Sequence, residues 1–329
     1  MKKKKSLSYA KWGYIFVAPA TIAFLIFSLY PILFTAVLGF TDFKGVATTT
    51  FHFLKDPFEN YKAILSSGLF RKALANTFGM WICNFIPQIG LALLLAAWFT
   101  RTHHNLKGQG AFKVLMYMPN IITAATVAIL FNALFGYPMG PVNDILVKLG
   151  IFAKPVEMLR NKMVARGVIV FIQFWMWYGY TMIVLISGIL GISPEIFESA
   201  AIDGANGWQT FWKITIPNIR TILLFTLVTS LIGGLQMFDI PRLFQNGNPD
   251  NATLTTSLFI YNQAFSGSYM YNRASAASMI MFVIICFFSA IMFYFLRDKD
   301  EIAENKIMRR QEKEYRKQLK AQKRMEAGR

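Results

Sequence analysis

The sequence predicts an all-α polytopic membrane protein with six transmembrane helices, and three observations carry that expectation. Hydrophobic residues make up 55% of the 329-residue chain and charged residues 16%; a soluble domain needs more charge to cover its surface. Six apolar runs are long enough to cross a hydrocarbon core of about 30 Å, which takes roughly 20 helical residues. The net charge of +17 is crowded toward the two ends, as expected where basic residues flank membrane spans on the cytoplasmic side.

The runs cover residues 12–40, 73–98, 113–135, 163–190, 221–238 and 274–296. Helix is the workable state in lipid, because a strand edge would leave backbone groups unpaired, and the alternation of a transmembrane barrel is missing. The first run follows Lys2, Lys3, Lys4, Lys5 and Lys11. It continues past the length of a signal-peptide core with no small-residue cleavage site behind it, so it is expected to remain as the first span. Pro19, Pro31 and Pro87 fall within the first two runs. Each removes a backbone donor and can kink a helix, which suits a bundle whose neighbours satisfy the freed carbonyls. The fifth run is short, and Gly233-Gly234 is expected to interrupt it near one end.

An even number of spans places both termini on one side, and the basic tails make that side cytoplasmic. Residues 100–112 carry Arg101, His103, His104 and Lys107 and agree with this. Residues 42–72 do not, since Lys44, Lys55, Lys62, Arg71 and Lys72 fall on a segment that should face outward. Asp42, Asp56 and Glu59 do not offset them, because acidic residues contribute little to the rule. The tails outvote this loop.

Several function classes are excluded. A basic surface is the usual footprint of a nucleic-acid binder, but here the charge flanks apolar runs and reads as topology. Cys83 and Cys286 lie in apolar runs and are expected to be buried free thiols; no CxxC or zinc spacing is present. His103-His104 lacks nearby Cys or carboxylate ligands for a tetrahedral metal site. Without a GxxxxGK[ST] phosphate loop, the chain is not expected to hydrolyse ATP. No Asp or Glu stands at mid-span, where ion-coupled carriers place ionisable groups. Arg166 is expected to snorkel from the end of its run.

Residues 193–220 read SPEIFESAAIDGANGWQTFWKITIPNIR. Ser193 is a candidate cap and Pro194 suits the first helical position. Ile196, Phe197, Ala200 and Ala201 give one apolar face, and Asp203-Gly204 marks a turn. Trp208, Phe211, Trp212 and Ile214 form a second short apolar pattern that Pro217 is expected to stop. The segment resembles the EAA loop of binding-protein-dependent ABC permeases. In that motif Glu-Ala-Ala is followed after three residues by Gly and after nine more by Ile-x-Leu-Pro. Glu198, Ala200, Gly204, Ile214 and Pro217 fall in register, with Ser199 in place of Ala and Ile216 in place of Leu. The extended form ESAAIDGA, with Ala201, Asp203 and Ala205, resembles the sugar branch, the maltose-type permeases for di- and oligosaccharides. The resemblance spans roughly 12–296, although Asn246-Gly247-Asn248-Pro249 only approximates the family's GGP turn.

That resemblance implies a type I ABC importer permease fold and half of the translocation pathway of an ATP-driven sugar importer. It implies a second permease subunit, usually a different one in this branch, an ATPase dimer that uses ATP and Mg, and an extracellular solute-binding protein. The setting is a bacterial inner membrane, with no nucleic acid and with no cofactor or catalytic residue in this chain. Coupling to the ATPase falls to Glu198, Ala200, Ala201, Asp203, Gly204, Ile214 and Pro217. Glu198 resembles the acidic contact, and Gly204 would permit the sharp return. Candidate pathway residues are Gly233, Gly234, Gln236, Phe238, Ser275 and Ser278. Small residues allow close approach and Gln236 both donates and accepts, although small residues also serve helix packing. Trp175, Trp177, Tyr178 and Tyr180 read as packing or an interfacial belt, with the alternative that one of them faces the pathway and stacks on a sugar ring. The alternative is a secondary carrier, which usually shows repeated halves; none is evident. The domain plan is a basic N-terminus at 1–11, a membrane domain at 12–296 and a charged tail at 297–329. In the tail, Glu312 and Arg316 have the acid-first spacing that favours helix.

Overall fold

The structure, a computed structural model, describes residues 10–45, 50–100, 107–267, 269–297 and 307–315. Lys2 to Lys5, Arg101, His103, His104 and Arg316 lie outside the described residues. Among the described residues the regular structure is helical, with one isolated bridge between Thr41 and Phe53.

In chain order the helices are α1 Ala10–Phe24, α2 Tyr30–Leu38, α3 Glu59–Ser66, α4 Gly68–Phe99 and α5 Gln109–Ile121. Next come α6 Ala124–Leu134, α7 Pro141–Lys148, α8 Lys162–Leu190, α9 Pro194–Ile202 and α10 Gly207–Thr210. The chain continues through α11 Ile216–Asn218, α12 Arg220–Leu235, α13 Asp239–Phe244, α14 Thr256–Phe265 and α15 Tyr271–Leu296. Residues 307–315 of the tail are also helical.

Five stretches are long and apolar enough to cross a membrane: Lys11–Leu38, Gly68–Phe99, Lys162–Leu190, Arg220–Phe244 and Tyr271–Leu296. The run expected at 113–135 is instead two helices, α5 and α6, and makes a sixth span only if the pair counts as one. The break has a local cause. Ile122 and Thr123 are extended, at ψ 136° and 145°, and the Thr123 hydroxyl accepts from the Thr126 amide at 3.3 Å to start a new helix. A threonine that can cap wins over the apolar run around it.

Prolines are absorbed rather than allowed to break the spans. Between α1 and α2 lies a π-helical turn, Leu25–Leu29, in which the Tyr30 amide reaches back to the Leu25 carbonyl, and Pro31 follows at the next position. A second π turn, Phe211–Thr215, stands in the same relation to Pro217. The wider turn leaves room for a ring that would clash with the preceding turn of an α-helix. Pro217 therefore does not stop its helix as expected; the backbone turns at Ile219, at φ −90° and ψ 11°. Gly233-Gly234 does not interrupt the fifth span either, because α12 runs through to Leu235. Gly234 fits against the Trp81 indole, where a Cβ would overlap the ring.

Two compact units interleave along the chain. One comprises residues 1–84, 123–173 and 233–286; the other 85–122, 174–232 and 287–329. In the first unit Ile64, Phe70, Ala73, Leu254, Leu258, Phe259, Ala276 and Ala277 form a buried cluster. In the second, Ala92, Ala96 and Phe99 meet Met182, Leu185, Ile186 and Ile189, with Ile219 and Leu223 closing the cluster. Alanines at the contacts let helices approach closely, the usual device where lipid removes any hydrophobic drive between helices.

Cys83 and Cys286 are exposed, not buried as expected. An apolar run in a membrane protein covers both the bundle interior and the lipid face, so belonging to a run does not specify burial. The first span shows this most plainly: only 6% of its most apolar window is buried.

Candidate functional site

Residues 193–220 belong to the second unit. Pro194 opens α9 as expected, but the Ser193 hydroxyl makes no capping bond. The helix ends in a double closure. The Ala205 amide reaches the Ala200 carbonyl at 2.9 Å and the Gly204 amide reaches the Ala201 carbonyl at 3.1 Å. This is the Schellman pattern, and it needs a left-handed residue just past the cap; Gly204 supplies it at φ +76°. Asn206 then starts α10 with a capping box: its side chain accepts from the Gln209 amide, and the Gln209 side chain accepts from the Asn206 amide, both at 2.9 Å. Helix, turn and helix are thus fixed by the loop's own polar groups.

The loop stands on a small apolar foot. Ala200 is buried, and Phe197, Ile192 and Ile216 pack against the cluster that contains Ile219 and Leu223. Ile214 is half-buried. Glu198, Ala201 and Asp203 are exposed, as are Ile202 at 86% and Trp208 at 69%. Trp208 and Trp212 meet edge to face at 5.6 Å. Glu198 and Ile202 at α9 and Trp208 on α10 thus stand away from the apolar foot.

The pathway candidates belong to the first unit. Gly233 and Gln236 are exposed, and Gln236 makes no hydrogen bond among the described residues. Phe238 is half-buried and meets Tyr261 at a tilt of 44°, the ring centres 5.1 Å apart. Ser275 is buried, while Ser278 donates to the Ala274 carbonyl of its own helix at 2.9 Å. No hydrogen bond joins Gln236 to either serine. An open groove of about 500 Å³ in the same unit is lined by Phe131, Phe135, Val164, Gly167, Val168 and Phe171. It offers no polar group that could orient a sugar. In the second unit the aromatic group of α8 pairs internally, Phe174 with Tyr178 at 5.4 Å and Trp177 with Tyr180 at 6.0 Å.

Sequence reasoning missed two buried polar networks. Arg166 does not snorkel: its Nε donates to the Ala252 carbonyl at 2.8 Å and its Nη2 to the Asn76 Oδ1 at 2.7 Å. The partly buried group finds acceptors within reach, so it need not seek water. Asn76 donates in turn to the carbonyls of Asn251 and Leu254, and the Thr77 hydroxyl accepts from the Thr256 amide at 2.8 Å. Lys162 pairs with Asp250 at 3.0 Å, and that hydrogen bond, with the charges of Lys162, Lys72 and Arg160, holds the exposed Asp250 carboxyl below its ordinary pKa. These contacts grip residues 246–255, where Asn246, Gly247, Asp250 and Asn251 all have positive φ. In the second unit the buried Gln88 donates to Thr181 at 2.9 Å and accepts from Ser230 at 3.3 Å, joining α4, α8 and α12. Polar residues within apolar runs were the available signal.

A family model described as the binding-protein-dependent transport system inner membrane component matches residues 77–300. The chain belongs to that family. Its members are non-catalytic permease subunits, and this one is a permease subunit of an ABC-type sugar importer that works with a separate ATPase. ATP and Mg are used by that ATPase rather than by the permease. The chain is similar to the lactose transport system permease protein LacF of Rhizobium radiobacter, 33% identical over 87% of this chain and 94% of that one. It is also similar to the multiple sugar-binding transport system permease protein MsmF of Streptococcus mutans, 30% identical over 83% and 91%. The fold is shared with a bacterial ABC transporter that imports the acidic polysaccharide alginate, at TM-score 0.72, 24% identity and coverage of 86% and 94%. The permease is an all-α, multi-pass inner-membrane protein, and nothing in these comparisons supports a secondary carrier.

Proposed function

We propose that residues 193–220 are the cytoplasmic EAA loop through which the ATPase drives this permease. The carrying observation is the exposed face of α9 and α10, with Glu198, Ile202, Asp203 and Trp208 outward and Ala200 as the buried foot. Gly204 and its double closure set the return of the chain, while Ile214 and Pro217 lead back into α12. Six spans follow if α5 and α6 count as one interrupted crossing, with both termini cytoplasmic. The plan is then a basic segment at 1–11, a membrane domain at 12–296 and a charged tail at 297–329.

The partners in this reading are a second, different permease subunit, an ATPase dimer and an extracellular solute-binding protein. The cargo is a di- or oligosaccharide, the class to which the lactose and multiple-sugar relatives point. Gly233, Gly234, Gln236, Phe238, Ser275 and Ser278 form the proposed pathway. The exposed, unengaged amide of Gln236 and the aromatic face of Phe238 support it most, and Gly234 serves as a packing site against Trp81.

The test is solute-stimulated ATP hydrolysis by the assembled importer. Glu198→Arg and Gly204→Asp are expected to leave synthesis and assembly intact while reducing coupled hydrolysis about tenfold, the loss expected of one charged interface contact. Full coupled turnover in both variants would remove the assignment.

A further inference from the structure

The basic residues that conflict with the charge rule in 42–72 belong to a wider excess. That segment holds five Lys and Arg against three Asp and Glu, residues 136–166 hold five against two, and residues 239–273 hold two against two. All three segments belong to the first unit. Most of the acids are already engaged: Asp42 with His52, Asp56 with Lys62, Glu157 with Arg160 and Asp250 with Lys162. Lys55, Arg71, Lys148, Lys154 and Arg273 are exposed, and among the described residues none forms an ion pair. In the proposed topology these segments face outward, where the membrane rule does not favour such an excess.

A second observation lies beside the proposed pathway. The Arg242 guanidinium lies 4.0 Å from the Tyr261 ring centre and 5.9 Å from that of Phe238, and Tyr261 leads on to Phe265 at 5.3 Å. Arg242 is half-buried. Among the described residues its side chain makes no hydrogen bond and no ion pair, and Asp239, three residues back, lies beyond ion-pair distance. A guanidinium held over a ring, with no hydrogen bond of its own, still has its N–H donors to offer a planar acceptor. A carboxylate fits that fork with two parallel hydrogen bonds, while the adjacent ring can stack on the apolar face of a sugar.

We propose that the solute moved past Phe238 and Tyr261 is an acidic oligosaccharide whose carboxylate is read by Arg242, with the outward basic excess favouring its approach. This rests on the sugar-importer reading and on the proposed topology. An attracting cleft of one charge sign raises the local concentration of an oppositely charged ligand. An acidic receptor protein could use the same exposed lysines, but it would not require a half-buried arginine on an aromatic platform.

The experiment is equilibrium binding of uronate tetrasaccharides, of galacturonate and of mannuronate, and of their neutral methyl esters. It uses the whole importer, with partner permease and ATPase, in lipid nanodiscs and without the solute-binding protein. An acid form is expected to bind about tenfold tighter than its ester and to weaken as salt is raised from about 50 to 300 mM. Arg242→Gln should remove about tenfold for the acid and leave the ester unchanged, as expected for one lost bidentate contact, while Arg242→Lys keeps part of the preference. Esters binding as tightly as acids, or equal losses for both in Arg242→Gln, would overturn the inference and leave a neutral-sugar importer. Absence of binding by any of them would remove both the inference and the proposed pathway. Salt sensitivity confined to binding of the solute-binding protein would assign the exposed charges to that partner and overturn the inference.

Discussion

The segments at 246–255 and 193–220 are held by different physics. The first is gripped by side chains from other elements: Asn76 from α4, and Lys162 and Arg166 from α8. The second is shaped by its own backbone closures and a capping box, and stands on a few apolar residues. One has spent most of its polar groups internally. The other leaves a carboxylate and large apolar side chains exposed, which is the condition of a surface that waits for a partner.

The two segments should therefore break differently. The largest effect is expected at Arg166→Met, which leaves Asn76 Oδ1 and the Ala252 carbonyl without a charged donor. Such a loss costs about 3 kcal/mol and should appear as a lower melting temperature and as proteolysis within 246–255. Unchanged melting and cleavage would show that the clamp is dispensable. A smaller structural effect is expected at Gly204→Ala. Nothing lies within 4 Å of a Cβ there, so the cost is the left-handed backbone alone, about 1 kcal/mol, whereas coupled ATP hydrolysis should fall further than that loss explains. Equal, small changes in both would make the turn merely structural.

The smallest effect concerns Asp250. Its carboxyl is held below its ordinary pKa chiefly by the Lys162 hydrogen bond. The sign follows: the contribution is complete above the ordinary carboxylate pKa of about 3.9 and is lost only as pH falls through the lowered folded value. The side chain is highly exposed, so Asp250→Asn should leave melting at neutral pH nearly unchanged. Protection of the amides across 246–255, taken relative to intrinsic exchange at each pH, should fall with acid in the wild type and show little acid dependence in the variant. A large loss at neutral pH would place Asp250 inside the clamp.

Much of this could be read from residues. Helical spans, the helix start at Pro194, the turn at Gly204 and the family pattern of 193–220 were all legible, because they depend on local chemistry. The π turns were not, since they are a negotiated response to Pro31 and Pro217 rather than a residue preference. Nor was the break at Ile122, where Thr123 chose capping over continuing. The Arg166 clamp was the main loss: hydropathy marks a cation at a span end, but not the acceptors that residues 76 and 252 bring to it. The exposed thiols of Cys83 and Cys286 make the same point for the lipid face.

The central claim is that α9 seats on the ATPase. Ile202, outward and nearly fully exposed, is the position to probe, in a background with Cys83 and Cys286 replaced by alanine. Ile202→Cys should form a crosslink to the ATPase subunit in the assembled importer, diminished by Glu198→Arg. A residue-202 thiol that never reaches the ATPase, and reacts instead with a membrane-impermeant reagent added outside intact cells, would contradict the account.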